Sequence, residues 1–335
     1  MPKMKSRQII LAKRPDGMPD ESIFRIVEAP VGDPGEGQVL VKAEYVSVDP
    51  YMRGRMSESK SYSASFGLNE VITGGVIGRV EESRSALLEK GDYVSGALGW
   101  AEYSTADAKS LRRIDPELAP VTTALSILGM TGVTAYFGLL DIGRPKEGET
   151  VVVSAAAGAV GSAVGQIAKI KGCRAVGITG SKEKVKFLLE DLKFDDAVNY
   201  RETSDLRRSL EEACPKGVDI YFDNVGGEIS DAVMTLINDK ARIPICGQIS
   251  LYNARETPVG PRIQQLLLTH TALMQGFLVR QYGDRMDEAV REMAIWYREE
   301  KLKDKITLTE GFENIPRAFI GLFNGENTGK QLVKV

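Results

Sequence analysis

The chain has 335 residues, of which 27% are charged, and its formal net charge is −3 at pH 7 with both signs interspersed. This charge pattern argues against nucleic acid and anionic membranes as partners. No apolar run approaches the ~20 residues of a membrane span, and no signal-peptide pattern precedes the first strand, so we expect a cytoplasmic protein. The length is sufficient for two domains.

The chain up to about Pro120 is predicted to form short β-strands that are separated by glycine and proline. The strand-forming runs are residues 7–11, 24–28, 39–48, 75–81, 93–95 and 101–104. Regularly spaced strands with turn signals between them are typical of antiparallel barrels and sandwiches. We therefore expect a compact, mostly antiparallel, barrel-like domain over residues 1–123.

From Leu125 onward, apolar strands alternate with helical stretches, which is typical of β-α-β units on a parallel sheet. Strands are predicted at residues 151–153, 174–179, 198–200, 218–222, 242–246 and 276–279, and helices at 182–190, 205–213, 227–238 and 262–274. Six strands suffice for a doubly wound sheet, which we assign to residues 124–281. Residues 282–335 are predicted to return to the first domain through a helix at 284–300 and a final strand at 331–335.

A small-residue turn joins the strand at 151–153 to an apolar helix. Ala155, Gly158 and Gly161 are spaced three apart in this turn. Small residues let the backbone approach a pyrophosphate, and the following helix N-terminus offers free N–H groups and a positive dipole end. Such residues also occur where a helix merely packs tightly on a strand, but the strand–turn–helix context is the one that the dinucleotide motif requires. The sequence thus predicts backbone contacts to a dinucleotide from Ala157, Gly158, Ala159 and Val160.

The segment after the next strand indicates which dinucleotide binds. An NAD enzyme usually carries Asp or Glu at this strand end to bond the adenosine ribose. Here the segment is G-S-K-E-K, from Gly180 to Lys184, with no carboxylate at the strand tip and two lysines just beyond it. This composition favours NADPH, whose ribose 2′-phosphate attracts ammonium groups. The alternative is that Lys182 and Lys184 only form the solvated first turn of the helix.

Metal chemistry is not expected from the cysteine and histidine content. Cys173, Cys214 and Cys246 lack metal-ligand spacing, and His270 is the single histidine. Tetrahedral zinc needs three or four nitrogen or sulfur ligands, so we expect neither a structural nor a catalytic zinc site. We interpret the cysteines as small core residues, and His270 as a packing or surface residue of the helix at 262–274.

Longer motifs are distributed along the whole chain. They are V-D-P-Y-M-R-G-R-M (48–56), G-M-T-G-V-T-A-Y (129–136), A-A-A-G-A-V-G-S (155–162), G-S-K-E-K (180–184), N-Y (199–200), F-D-N-V-G-G (222–227), C-G-Q-I-S-L-Y-N (246–253), Q-G-F-L-V (275–279) and G-E-N-T-G-K (325–330). With these motifs the chain resembles the zinc-independent medium-chain dehydrogenase/reductase superfamily, and within it the leukotriene/prostaglandin reductase and curcumin reductase group of NADPH-dependent alkenal/one reductases. The resemblance implies an α/β protein in which a GroES-like, β-rich catalytic domain carries an inserted Rossmann domain. A departure is Thr131, where many relatives have proline.

The resemblance also implies roles for individual residues. At the adenosine end, Lys184 and Tyr200 are expected to contact the 2′-phosphate beside Gly180. The residues expected around the nicotinamide and its ribose are Asn224, Phe277, Val279 and Asn327, with Met130 and Thr134 beside them. Tyr252 matches the tyrosine that assists at the substrate carbonyl, and Tyr51 matches a tyrosine near the substrate pocket. Because family members are often homodimers, we expect a homodimer.

The predicted reaction adds hydride to the β-carbon of an α,β-unsaturated ketone or aldehyde. Negative charge then develops on the carbonyl oxygen, so a hydrogen-bond donor must point at it. Tyr252 suits this role because the usual pKa of tyrosine, ~10, keeps it protonated at neutral pH. The alternative is an ordinary loop tyrosine with a buried ring and a solvated hydroxyl. Two other functions stay open: quinone reduction with NADPH, and a non-catalytic NADPH-binding or structural role.

Overall fold

The first unit of the fold is built from antiparallel strands. The computed structural model describes residues 4–58 and 62–335. Its N-terminal elements are β1 (Lys5–Leu11), β2 (Phe24–Pro30), β3 (Gln38–Ser47), α1 (Met52–Arg55), β4 (Thr73–Ser83), β5 (Tyr93–Gly99), β6 (Tyr103–Asp107) and β7 (Arg112–Ile114). Antiparallel pairs join β1 to β2, β3 to β4 and β6, and β5 to β4 and β7. The antiparallel N-terminal β domain expected from the sequence is confirmed.

The second unit contains a six-stranded parallel sheet. Its elements are α2 (Met130–Phe137), β8 (Thr150–Ser154), α3 (Ala159–Ile170), β9 (Arg174–Thr179), α4 (Lys182–Lys186), β10 (Asp196–Asn199), α5 (Leu206–Ala213), β11 (Val218–Phe222), α6 (Gly227–Met234), β12 (Ile237–Ile245), α7 (Gln264–Thr269), β13 (Leu273–Gly276) and α8 (Met286–Arg298). The strand order is β10-β9-β8-β11-β12-β13, and the strands pair in parallel. This is the doubly wound order, in which the direction of winding reverses between β8 and β11. The predicted Rossmann-type sheet is confirmed.

The central strand β8 is buried on both faces. Val151 and Val153 join the core cluster that includes α3, whereas Val152 joins the cluster that includes α6. A parallel strand covered by helices on both sides is apolar at every position, which explains the V-V-V run. The turn after β8 therefore leaves the sheet at its centre.

The segment from residue 262 to 279 differs from the prediction. The helix expected at 262–274 is confined to Gln264–Thr269, because Thr271 adopts a positive φ of 46° and turns the chain into β13. The strand expected at 276–279 accordingly lies earlier, at Leu273–Gly276, in parallel register with β12. His270 follows the helix instead of lying within it.

The C-terminal return also starts later than residue 282. Helix α8 buries Ala289, Met293 and Trp296 in the core of the second unit, which extends to Lys305 and includes Thr328–Lys330. The chain then forms β14 (Ile306–Glu310), α9 (Ile315–Asn324) and β15 (Lys330–Lys334). Strand β15 pairs antiparallel with β3, as the sequence predicted for the last strand. Nowhere in 4–58 or 62–335 does a helix combine the length and apolarity needed to cross a lipid bilayer.

Candidate functional site

The turn between β8 and α3 presents backbone N–H groups at the carboxyl edge of the sheet. Helix α3 begins after Gly158, and no side chain caps its first turn. The turn is closed by Gly158 N, which donates to the Ala155 carbonyl oxygen at 2.9 Å. Gly329 N, from a distant part of the chain, donates to the Ala157 carbonyl oxygen of the turn at 2.7 Å. Ala159 and Val160 open the helix and are only half-buried, so their N–H groups are available to an anion.

Helix α3 lies so close to this turn that only glycine fits at its start. A Cβ on Gly161 would lie 2.3 Å from the Ala155 carbonyl oxygen and 2.8 Å from the Ala156 Cα. Both neighbours are backbone atoms, which cannot rotate away. One helical turn later, a Cβ on Gly165 would lie 1.8 Å from the ring of Phe194. Gly161 therefore lets α3 approach the turn closely, whereas Gly165 leaves room for the Phe194 ring.

Gly180, Lys184 and Tyr200 are brought together where β9 and β10 end. Tyr200 N donates to the Thr179 carbonyl oxygen at 3.0 Å, and a Cβ on Gly180 would lie 3.0 to 3.2 Å from the Tyr200 phenol. Ser181 caps α4 by accepting from Lys184 N at 3.3 Å. Burial lowers the pKa of the Lys184 ammonium, and the Arg201 guanidinium lowers it further. The Lys184 ammonium therefore lies partly desolvated beside a second cation.

Arg201 is a residue of this cluster that the sequence reasoning missed. Its guanidinium carbon lies 5.7 Å from the centre of the Tyr200 ring. No carboxylate among the described residues forms an ion pair with Arg201, whereas Lys182 pairs with Glu202 at 3.4 Å on the surface. An anion placed between Lys184 and Arg201 would relieve their repulsion. The available signal was the position of Arg201 directly after Tyr200.

On the other side of the turn, the loop after β11 is tied to the end of β8. The Asn224 side-chain Nδ2 donates to the Ser154 carbonyl oxygen at 2.8 Å, and its backbone N donates to Ser154 Oγ at 2.9 Å. Ser154 Oγ in turn donates to the buried Asp223 carboxylate at 3.1 Å. These bonds hold Asn224 at the point where the strand order reverses.

Tyr252 lies beside this loop, just after β12. Its hydroxyl oxygen accepts from Gln248 N at 3.3 Å. A Cβ on Gly247 would lie 3.0 Å from that hydroxyl oxygen and 3.4 Å from the Asn224 carbonyl oxygen. The Tyr252 hydroxyl and the Asn224 backbone therefore flank the same glycine. Burial raises the pKa of the Tyr252 hydroxyl, against the opposing effect of the Gln248 bond. Tyr252 is therefore protonated at neutral pH, and its proton remains available for donation.

Met130 begins α2, and Thr134 lies one turn further along the helix. Met130 is 40% exposed, and Thr134 Oγ1 donates to its carbonyl oxygen at 2.7 Å. Between them, Thr131 Oγ1 donates to the Ser126 carbonyl oxygen at 2.9 Å. A proline at position 131 would lack this side-chain bond, so threonine anchors the helix start in a different way.

Phe277 and Val279 belong largely to the core of the second unit. The Phe277 ring is buried and meets the Phe222 ring edge-on, with 6.2 Å between the ring centres. Val279 begins the helical turn Val279–Arg285 and packs against the same core. A ligand contact from Phe277 would therefore come from its backbone.

Tyr51 and Asn327 lie in the first unit. Tyr51 precedes α1, and burial, with a smaller contribution from Asp49, raises the pKa of its hydroxyl to about 12. Asn327 follows the end of α9, where Gly325 adopts a positive φ of 70°, and is half-buried. Their predicted ligand contacts remain predictions.

The cysteines and the histidine are dispersed. Cys173 and Cys214 are buried, Cys246 is half-buried, and burial raises the pKa of all three thiols. His270 Nδ1 lies 3.0 Å from a carboxylate oxygen of Asp239. Across residues 4–58 and 62–335, no group of three or more His, Cys, Asp or Glu side chains is arranged to hold a metal ion.

The known proteins that this chain resembles are oxidoreductases. The profile described as the N-terminal domain of oxidoreductase matches residues 7–114, and the profile described as zinc-binding dehydrogenase matches residues 159–294. YfmJ of Bacillus subtilis (strain 168), named as an NADP-dependent oxidoreductase, is 58% identical over 98% of this chain and 97% of its own length. The NADPH-dependent curcumin reductase of Escherichia coli (strain K12) is 47% identical over 99% and 98%, respectively. The crystal structure of CurA from Vibrio vulnificus in complex with NADPH superposes with a TM-score of 0.94 at 44% identity, covering 98% of this chain and 99% of CurA.

Proposed function

Because the chain belongs to the medium-chain dehydrogenase/reductase family, in its curcumin reductase group, we propose that it reduces the C=C bond of α,β-unsaturated ketones and aldehydes with NADPH and without zinc. The predicted family is thereby confirmed, and so is an NADP-dependent oxidoreductase that acts on small molecules. The observation that carries the finer proposal is the protonated Tyr252 hydroxyl beside the Asn224 loop.

The residues along the carboxyl edge of the sheet fit NADPH. The uncapped first turn of α3 suits the pyrophosphate, since it offers backbone N–H groups and a positive dipole end. The strand order puts β9 and β10 on one side of this turn and β11 and β12 on the other. We assign the adenosine to the side of Tyr200 and the nicotinamide to the side of Asn224 and Tyr252.

The 2′-phosphate is assigned to the basic cluster around Gly180. Lys184 would hold it through a charge-assisted hydrogen bond, with the Tyr200 hydroxyl next to it. Arg201 adds a second positive charge beside the Tyr200 ring. The half-burial of Lys184 supports this role over that of a solvated helix residue, which describes Lys182 better.

In the proposed mechanism, NADPH supplies a hydride when it is bound, and the residues of the chain stabilise the charge that results. Tyr252 donates a hydrogen bond to the substrate oxygen as that oxygen becomes an enolate. The α-carbon then takes its proton from Tyr252 or from water. The described residues present no metal-ligand cluster near this hydroxyl, so polarisation of the carbonyl is assigned to the phenol.

A panel of acceptors tests the proposal. NADPH oxidation is followed with an enal, an enone, a benzoquinone and a simple saturated ketone, each at several concentrations. We expect the highest kcat/KM with the enal or the enone and no turnover of the saturated ketone. Equal or faster turnover of the quinone would favour quinone reduction. A rise in melting temperature with NADPH, but no consumption with any acceptor, would favour a non-catalytic role.

We also propose that the enzyme is a cytoplasmic homodimer. Strand β13 is an edge of the parallel sheet, and its Leu273 is exposed. An open strand edge with apolar side chains is suited to pairing with a second copy. Light scattering of the purified protein at several concentrations would give the mass directly, and a monomeric mass throughout would refute the dimer.

A further inference from the structure

A buried carboxylate lies directly behind the Asn224 loop. Asp223 is 1% exposed and follows the last residue of β11. Its Oδ1 accepts four hydrogen bonds, from Ser154 Oγ at 3.1 Å, Tyr221 OH at 2.8 Å, Val225 N at 2.9 Å and Gly226 N at 2.9 Å. Its Oδ2 is also buried, yet no described residue donates to it.

The bonding pattern is that of an ionised carboxylate without a counter-charge. Four donors converge on one oxygen, and an acceptor with this many donors suits an anion. No ion pair between described residues involves Asp223, and its Oδ2 has no hydrogen-bond partner. A buried, unpaired charge is costly, so its presence calls for a group that benefits from it.

Asp223 lies at the point of the sheet where the strand order reverses. Asp223 follows β11, which neighbours β8, and the next residue, Asn224, bonds back to Ser154. The carbonyl oxygen of Asp223 also accepts from the backbone N of Cys246 at 2.9 Å and of Gly247 at 3.2 Å, so it joins the loop that leads to Tyr252. Asp223 thus contacts both loops that we assign to the nicotinamide side, one through its carboxylate and the other through its backbone carbonyl.

We propose that the Asp223 carboxylate favours the oxidised, positively charged form of the bound nicotinamide over the reduced, neutral form. The inference rests on the proposed function, because it takes the nicotinamide to lie on the side of β11 and β12. The ring gains one positive charge when its hydride, with two electrons, forms the new bond to the β-carbon of the acceptor. A fixed negative charge nearby lowers the free energy of that change.

The structure offers a substitution that removes the charge and keeps the shape. In Asp223→Asn the amide oxygen can occupy the position of Oδ1 and keep its four donors, while the NH₂ group takes the position of the unpartnered Oδ2. Asp219→Asn is the matched control, because Asp219 lies on the same strand about 13 Å away at 3.3 Å per residue. There it accepts from Thr150 N at 2.8 Å and Asn238 Nδ2 at 2.8 Å.

The experiment measures dissociation constants of the whole protein for NADP⁺, NADPH and 2′,5′-ADP. In Asp223→Asn we expect the ratio Kd(NADP⁺)/Kd(NADPH) to rise about fivefold or more, with 2′,5′-ADP binding unchanged, since the latter has no nicotinamide. Asp219→Asn should keep the wild-type ratio. Asp223→Ser, a second neutral variant, should shift the ratio in the same direction as Asp223→Asn.

Two results would overturn the inference. One is an unchanged ratio in Asp223→Asn while 2′,5′-ADP still binds normally. The other is a loss of affinity for all three ligands in both neutral variants, which would make the carboxylate a purely structural group. Failure of the proposed function looks different, because the wild-type protein would then bind NADPH without consuming it in the presence of any enone.

Discussion

Replacing Gly161 by alanine should damage both the fold and the dinucleotide site. The new Cβ would lie 2.3 Å from the Ala155 carbonyl oxygen, which is about 1 Å closer than carbon and oxygen atoms approach without strain. The clash is with backbone on both sides, so α3 or the turn must move by a similar distance. Either movement shifts the N–H groups that we assign to the pyrophosphate.

The size of the stability effect follows from two opposing contributions. Overpacking a tightly packed site costs about 1–3 kcal/mol of unfolding free energy. Replacing glycine by alanine inside a helix returns about 1 kcal/mol. We therefore expect the free energy of unfolding to fall by about 0–2 kcal/mol. The effect on dinucleotide affinity should be larger, because a lost hydrogen bond to a charged group costs about 1.5–3 kcal/mol, or roughly tenfold or more in the dissociation constant.

The assay combines urea unfolding with NADPH and NADH titrations of Gly161→Ala and of Gly165→Ala as its control. Gly165 lies one turn further along α3, where its Cβ would meet the Phe194 ring instead of the phosphate-binding turn. Gly165→Ala should lower stability and leave both dissociation constants near wild type. Gly161→Ala should weaken NADPH and NADH alike, since both carry the pyrophosphate. Wild-type affinity in a folded Gly161→Ala protein would refute this interpretation of the turn.

Three further outcomes are expected. Lys184→Ala should weaken NADPH binding by about 1.5–3 kcal/mol and hardly affect NADH binding. Arg201→Ala should have a smaller effect in the same direction. Equal losses of affinity for both cofactors would contradict the 2′-phosphate assignment. Tyr252→Phe should lower kcat by about a hundredfold at unchanged NADPH affinity, and a wild-type rate would remove Tyr252 from the mechanism. Dialysis against a chelator should leave activity intact, and rescue of a lost activity by zinc would overturn the metal-free chemistry.

Most of the second unit could be predicted from local patterns. The strands Arg174–Thr179 and Val218–Phe222 match their predicted bounds, because each is an apolar run that ends where the buried sheet ends. The predicted helix at 262–274 was wrong, since the left-handed conformation of Thr271 is a tertiary choice that its residue type does not favour. The amphipathic pattern of α8 predicted a helix, yet such a pattern does not say which core the apolar face joins.

In the candidate site, too, some features could be predicted from the sequence and others depend on tertiary contacts. Gly180 and Tyr200 lie close together because β9 pairs with β10, and the strand order is that of the doubly wound sheet predicted from the six strands. The significance of Arg201 and Asp223 depends on neighbouring atoms from other segments, which spacing along the chain does not contain. The burial of the Phe277 ring likewise depends on contact with Phe222, a residue of another strand.

The destination of the transferred hydrogen tests the central claim most directly. An enone is reduced with NADPH that carries deuterium at the transferred position of C4, and the product is analysed by NMR. We predict a saturated ketone with deuterium at the β-carbon and none at the carbonyl carbon. Deuterium on the carbonyl carbon of an alcohol product would contradict the claim, as would a product without the label.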